Sequence, residues 1–263
     1  MWTQGAVPQE FKDASVVHFY KRKGNRQACD NHRGISLLCI AGKILVRIFL
    51  NRLIGHLGNG LLPESQCGFR KERGAIDMVF AARQLQEKCQ EQNVDLYTTF
   101  VDLTKAFDTV SRSGLWSIMN AFQDSDPDIN IRYRADDKLF NLRCLQAKTK
   151  IYFDKLHDFL FADDCALNAS SPEDMQYSMD LFFTACINFG LMISTKKTEV
   201  MYQPAPGKQY REPTVTVNKQ KLAAVDKFTY LGSALSRSVH IDDETDARIA
   251  KASVAFGRLR SSV

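Results

Sequence analysis

Residues 158–168 set two apolar tripeptides, Phe159-Leu160-Phe161 and Cys165-Ala166-Leu167, on either side of Ala162-Asp163-Asp164. Short apolar runs around a small, polar break read as two buried strands joined by a turn. The segment is therefore expected to be a β-hairpin with two carboxylates at its tip. Aspartates in turns are ordinarily solvated turn-formers. Here the apolar flanks place the pair at the end of a buried strand, where ionised carboxylates are costly unless cations or hydrogen bonds compensate.

A third carboxylate has a similar setting. Residues 94–103 are rich in β-branched and aromatic side chains and read as a strand that delivers Asp102 at its C-terminal end. If this strand pairs with the hairpin, Asp102, Asp163 and Asp164 come together as a hard-oxygen donor set for Mg²⁺ or Mn²⁺. Two such ions about 3.5–4 Å apart can activate a 3′-hydroxyl and stabilise a leaving pyrophosphate.

Around these strands the pattern alternates irregularly. Helices are expected where Ile44, Leu45, Ile48, Phe49 and Leu53 recur, and over 75–92 with Ile76, Val79, Phe80 and Leu85 facing inward. Gly58-Asn59-Gly60 and Pro63 make a loop between them. A short helix with Leu115, Ile118, Met119 and Phe122 on one face follows Asp102, and 123–150 reads as a polar hairpin with Ile129, Ile131 and Tyr133 alternating. Ser171, Pro172 and Asp174 form an N-terminal helix signal ahead of a Met175, Met179, Phe182, Phe183, Cys186 stripe that Gly190 ends. Strands at 199–203, 214–218 and 227–231 and a helix at about 243–260 complete the reading. Helices and strands without a βαβ rhythm imply an α+β fold.

The chain has 263 residues and a net charge of +5. Its basic stretch at 18–33 (Lys21, Arg22, Lys23, Arg26 and Arg33 around a Gly24-Asn25 turn) suits a nucleic-acid partner. None of the seven cysteines forms a Cys-x-x-Cys pair, which argues for reduced thiols. The N-terminus lacks a signal peptide, and the most apolar stretch, 35–50, is broken by Lys43 and Arg47. An intracellular protein of cytoplasm or nucleus, with no membrane partner, is expected.

Six blocks resemble, in order, those of reverse transcriptases from non-LTR (LINE-like) retrotransposons. Phe161-Ala-Asp-Asp164 resembles motif C, and Phe100-Val-Asp-Leu-Thr-Lys-Ala-Phe-Asp-Thr-Val110 resembles motif A. Asn31–Leu38 with Gly42–Leu45 and Asn51–Leu53 resembles the opening fingers segment, and Leu62–Arg70 the next fingers block. Gly190–Thr198 resembles motif D, with Ser194 where relatives commonly have asparagine, and Phe228–Gly232 resembles the primer-grip motif E.

The resemblance implies a right-hand polymerase: fingers over 1–93, a palm with an antiparallel sheet over 94–232, and the start of a thumb over 233–263. It implies an RNA template, a DNA primer and deoxynucleoside triphosphates as partners. Asp102 and Asp163 would bind metal directly with Asp164 in support, and Lys197 would neutralise or protonate the departing pyrophosphate. Phe107 would lie under the incoming sugar, and Arg33, Arg70 and Arg73 would contact phosphates. Tyr230, Leu231 and Gly232 would support the primer. The departure is between Phe122 and Phe159, where the family's Gln-Gly turn and motif B helix are missing. That gap and the chain's limits imply a fragment, and they leave a second reading open: a catalytically silent remnant that binds nucleic acid or does not fold stably.

Overall fold

The computed structural model describes residues 7–22, 24–57, 65–70, 72–104, 106–109, 129–134, 151–156, 158–239 and 242–260. They fall into two compact units divided between Leu62 and Pro63. The first holds α1 (Gln9–Lys12), β1 (Ala14–Tyr20), β2 (His32–Leu38) and α2 (Ile40–Leu57). β1 and β2 pair antiparallel from Ala14↔Leu38 to Tyr20↔His32. The basic stretch is thus the closing end of a ribbon, with Gly24 at a left-handed φ of 74° and the Tyr20 hydroxyl donating to the Gly24 carbonyl at 2.6 Å. Both faces of this ribbon are largely exposed, so no period-2 apolar pattern marks its strands.

The second unit begins with α3 (Ala75–Glu91), β3 (Leu96–Asp102), α4 (Ala106–Thr109), β4 (Ile129–Arg134) and β5 (Ile151–Leu156). It continues through β6 (Asp158–Phe161), β7 (Asp164–Ala169), α5 (Pro172–Asn188), β8 (Glu199–Gln203), β9 (Thr216–Val217) and β10 (Gln220–Lys221). It ends with β11 (Ala223–Ala224), β12 (Lys227–Tyr230), β13 (Ser233–Ser236) and α6 (Asp242–Arg260). The class is α+β.

One five-stranded sheet has the order β11-β8-β3-β7-β6. β3 lies at its centre, antiparallel to β7 and β8. Tyr97 and Val101 of β3 pack with Leu167 of β7, Val200 of β8 and the inner face of α5. Leu96 and Phe100 point the other way, into a cluster with Met78 and Leu85 of α3, Phe159, Tyr230 and Leu235. A strand covered on both sides needs side chains that can be buried on both faces, and Leu96–Val101 supplies apolar residues and two buried threonines without charged alternation.

The helix expected at 75–92 forms and Leu85 is buried as expected, but the rest of the inward face differs. Ile76 and Phe80 are exposed and Val79 is only partly buried. The buried stripe is Met78, Ala81, Ala82, Leu85, Gln86 and Cys89. The sheet face opposite already carries Phe100 and Phe159, and small residues let the helix approach it where further rings would overfill the layer. A second correction concerns 123–150. Ile129, Ile131 and Tyr133 lie on β4, but its partner is β5, from 151 onward. The expected helix face at Leu115, Ile118, Met119 and Phe122, the residues just after it, and the loop with Gly58, Asn59, Gly60 and Pro63 lie outside the described residues.

α5 follows its sequence signals closely. Ser171 Oγ accepts from the Asp174 N–H at 3.1 Å, with Pro172 at the first position, and Gly190 ends the turn at a φ of 70°. Ser171→Ala is expected to destabilise the protein by about 1 kcal/mol. A lowered urea midpoint with unchanged slope would register the loss, and an unchanged midpoint would contradict it. No helix among the described residues is long and apolar enough to cross a membrane.

Candidate active site

The carboxylates are positioned by strand register. Asp102, the last residue of β3, is the direct partner of Asp164, the first of β7. Opposed residues in an antiparallel pair project from the same face, so both side chains share the face that carries Leu96 and Phe100. Phe161 pairs with Asp164, which leaves Ala162 and Asp163 as a two-residue turn. Such turns require a left-handed residue and normally use glycine. Ala162 takes that place at a φ of 58°, a conformation that disfavours an L side chain by about 1–2 kcal/mol.

A neighbouring segment holds the turn in this form. The Leu160 N–H donates to the Ser65 carbonyl at 2.9 Å, and the Cys67 N–H donates to the Leu160 carbonyl at 3.0 Å. Gly68 then lies so close to the turn that a Cβ added to it would meet the Ala162 nitrogen at 2.4 Å and the Phe161 carbonyl carbon at 3.0 Å. This residue stands inside the Leu62–Arg70 block, where sequence reasoning assigns it no role. A lone glycine among bulky neighbours is the only signal that could have found it.

A second segment clamps the end of β3. The Ser194 N–H donates to the Asp102 carbonyl at 2.9 Å, and the Thr104 N–H to the Met192 carbonyl at 2.8 Å. The Asp102 N–H donates to the Thr198 hydroxyl at 3.3 Å, and Thr198 is fully buried. Between these anchors Lys197 Nζ reaches Asp102 Oδ1 at 3.2 Å. With the lysine side chain 66% exposed, such a pair contributes at most about 1 kcal/mol and is readily exchanged for another partner.

Partial burial at the strand end, followed by the charges of Asp163 and Asp102, raises the Asp164 carboxyl above its usual range. Like charges gathered with one exposed lysine form a site that a cation would relieve. The donors are all carboxylate oxygens, which fits a hard divalent ion. Among the described residues, no three acidic, cysteine or histidine side chains already stand as a preformed metal cluster. Such ions characteristically complete their shells with substrate phosphates.

The other expected site residues are more dispersed. Phe107 lies on α4, and its side chain is outside the described residues. Arg70 donates from Nη1 to the Gln66 carbonyl at 3.2 Å, and the Arg73 N–H donates to the Arg70 carbonyl at 3.4 Å. Arg33 is exposed on β2 in the first unit. Tyr230 is buried and donates to the Phe159 carbonyl at 3.3 Å. Leu231 and Gly232, at φ 48° and 85°, form the turn of the β12–β13 hairpin.

Residues 20–134 match the family described as Reverse transcriptase (RNA-dependent DNA polymerase). Asp102 lies within that match, whereas Asp163, Asp164 and Lys197 follow it. The RNA-directed DNA polymerase from mobile element jockey of Drosophila melanogaster is 30% identical over 112 residues, 42% of this chain and 12% of that protein. The probable RNA-directed DNA polymerase from transposon BS of the same species is 27% identical over 111 residues, with the same shares. The jockey polymerase of Drosophila funebris is 29% identical over 112 residues, again 42% and 12%. The chain spans about an eighth of the length of these relatives. Over residues 20–134 it is similar to reverse transcriptases of the non-LTR, LINE-like kind.

Proposed function

We propose that the chain transfers nucleotides to the 3′-hydroxyl of a DNA primer on an RNA template, with 94–232 as a polymerase palm, 1–93 as fingers and a thumb beginning at 233. One observation carries the reading. Asp102 and Asp164 stand opposite each other in register on adjacent strands, with Lys197 Nζ 3.2 Å from Asp102.

Asp102 and Asp163, supported by Asp164, are the residues that would hold Mg²⁺ or Mn²⁺. Such ions, when bound, supply activation of the hydroxyl and charge neutralisation at the departing pyrophosphate. Lys197 releases Asp102 Oδ1 and offers an Nζ proton to a pyrophosphate oxygen. Phe107 packs against the incoming sugar and excludes a 2′-hydroxyl. Arg33, Arg70 and Arg73 present guanidinium forks suited to phosphate. The Tyr230-Leu231-Gly232 turn supports the primer end.

Purified protein is expected to incorporate dTMP on poly(rA)/oligo(dT) with either metal. No incorporation at any concentration of either ion overturns the reading. A second reading draws on the family match ending at Arg134, before Asp163: nucleic-acid binding without synthesis, through Lys21, Arg22, Lys23, Arg26 and Arg33. In that case RNA affinity falls steeply with salt and is unchanged or stronger when Asp102 and Asp163 become alanine.

A further inference from the structure

The β12–β13 hairpin is attached to the rest of its unit by two kinds of contact. On its inner side the Phe228 ring stacks on Phe100 with centroids 4.0 Å apart, beside the Tyr230 bond to Phe159. A stacked pair fixes the separation of its rings, but its modest energy beyond burial holds their orientation only weakly. Orientation is supplied elsewhere, by polar contacts along β13.

Gln86 of α3 donates from Nε2 to the Ser236 carbonyl at 3.0 Å. Arg83, one turn earlier, donates from Nη2 to Ser233 Oγ and to the Ala234 carbonyl, each at 3.3 Å. The Ser233 hydroxyl donates in turn to Glu244 Oε1 of α6 at 2.5 Å. Glu244 is 7% exposed and is paired with Arg83 and with Arg248, whose Nε lies 2.8 Å from Oε1. One buried carboxylate therefore ties together α3, β13 and α6. Buried ion pairs are a poor route to stability, since well-packed apolar residues serve as well. What charged, forked hydrogen bonds add is direction.

We propose that Glu244 is a positioning residue for the primer. Together with Arg83 it sets the rotation of the β12–β13 hairpin against the sheet face from which Asp102 and Asp164 project. Assigning the hairpin to the primer rests on the polymerase reading above. The residue touches no substrate and acts through Ser233 and the Leu231-Gly232 turn.

Glu244→Gln in the full chain keeps the shape and removes the charge. It is expected to weaken primer–template affinity about tenfold, the loss typical of a charged buried hydrogen bond, and to leave KM for the nucleotide unchanged. Amide exchange should quicken at 227–236 and stay unchanged at 96–102. Ser233→Ala, which removes two hydrogen bonds and no charge, should show the same pattern more weakly and serves if the first variant does not fold. Arg83→Lys, which keeps the charge but loses the fork to Ser233 and Ala234, should weaken the affinity in the same direction. Unchanged duplex affinity, or exchange quickened equally in β3, overturns the proposal. Binding and exchange need no turnover, so an inactive wild-type protein sinks the polymerase reading alone.

Discussion

Asp102→Asn is expected to reduce nucleotide incorporation by about a thousandfold or more while leaving the melting temperature unchanged or higher. The activity loss follows from taking one anionic oxygen donor out of a site whose work is electrostatic; removing several kcal/mol of transition-state stabilisation corresponds to that factor. The stability effect has the opposite sign. Asp164 has a raised pKa in the fold, caused by partial burial and by its Asp163 and Asp102 neighbours. A carboxyl raised in this way opposes folding at pH values above its unfolded pKa, because ionisation then favours the unfolded chain. Removing the Asp102 charge lessens that opposition. The ion pair with Lys197 that the substitution also removes is exposed and weak. Primer extension and scanning calorimetry on the same preparation test both halves. Near-normal incorporation contradicts the proposed role, and a melting point several degrees lower contradicts the account of the charges.

Gly68→Ala should be the most damaging substitution that leaves every charged group in place. Its added methyl would have to displace the Ala162 nitrogen, a backbone atom 2.4 Å away. A side chain can rotate out of such a clash, but a strand turn cannot. Overpacking of this kind destabilises by about 1–3 kcal/mol. Relief comes from moving the turn, and with it Asp163. A displacement of about 1 Å at reacting groups can cost roughly a hundredfold in rate, so incorporation should fall by that order even in the folded fraction. Gly55→Ala is the control. It lies within α2 and a methyl there meets nothing within 4 Å, so stability should hold or improve by up to about 1 kcal/mol. Equal behaviour of the two variants in melting and primer extension would show that the close approach is not a constraint.

The sequence makes some of this visible and conceals the rest for physical reasons. β3, the Asp163-Asp164 hairpin and α5 are local structures: their apolar runs, turn and cap are written in adjacent residues. The inward face of α3 is misread from sequence because its buried stripe depends on Ala81, Ala82 and Cys89, residues suited to closeness with Phe100 and Phe159 rather than to bulk. The ribbon of β1 and β2 has no buried face to impose alternation. Lys197 stands out by its position in a motif, but its bond to Asp102 spans 95 residues. Gly68 acts through a turn far away in sequence, and Glu244 joins nearby Ser233 and Arg248 to the distant Arg83.

The central place of β3 also governs the order in which this chain can fold. Both of its neighbours come later: β7 at 164–169 and β8 at 199–203. As the chain leaves the ribosome, Leu96–Val101, buried in the finished protein, stays apolar with both edges open until β7 has been made. Open apolar edges of that kind recruit other chains. The stretch that matches the family ends at residue 134 and so contains the middle of a sheet without either flank. The matched stretch by itself leaves β3 without its partner strands, so the Asp102 strand relies on residues that follow the match to close both of its edges.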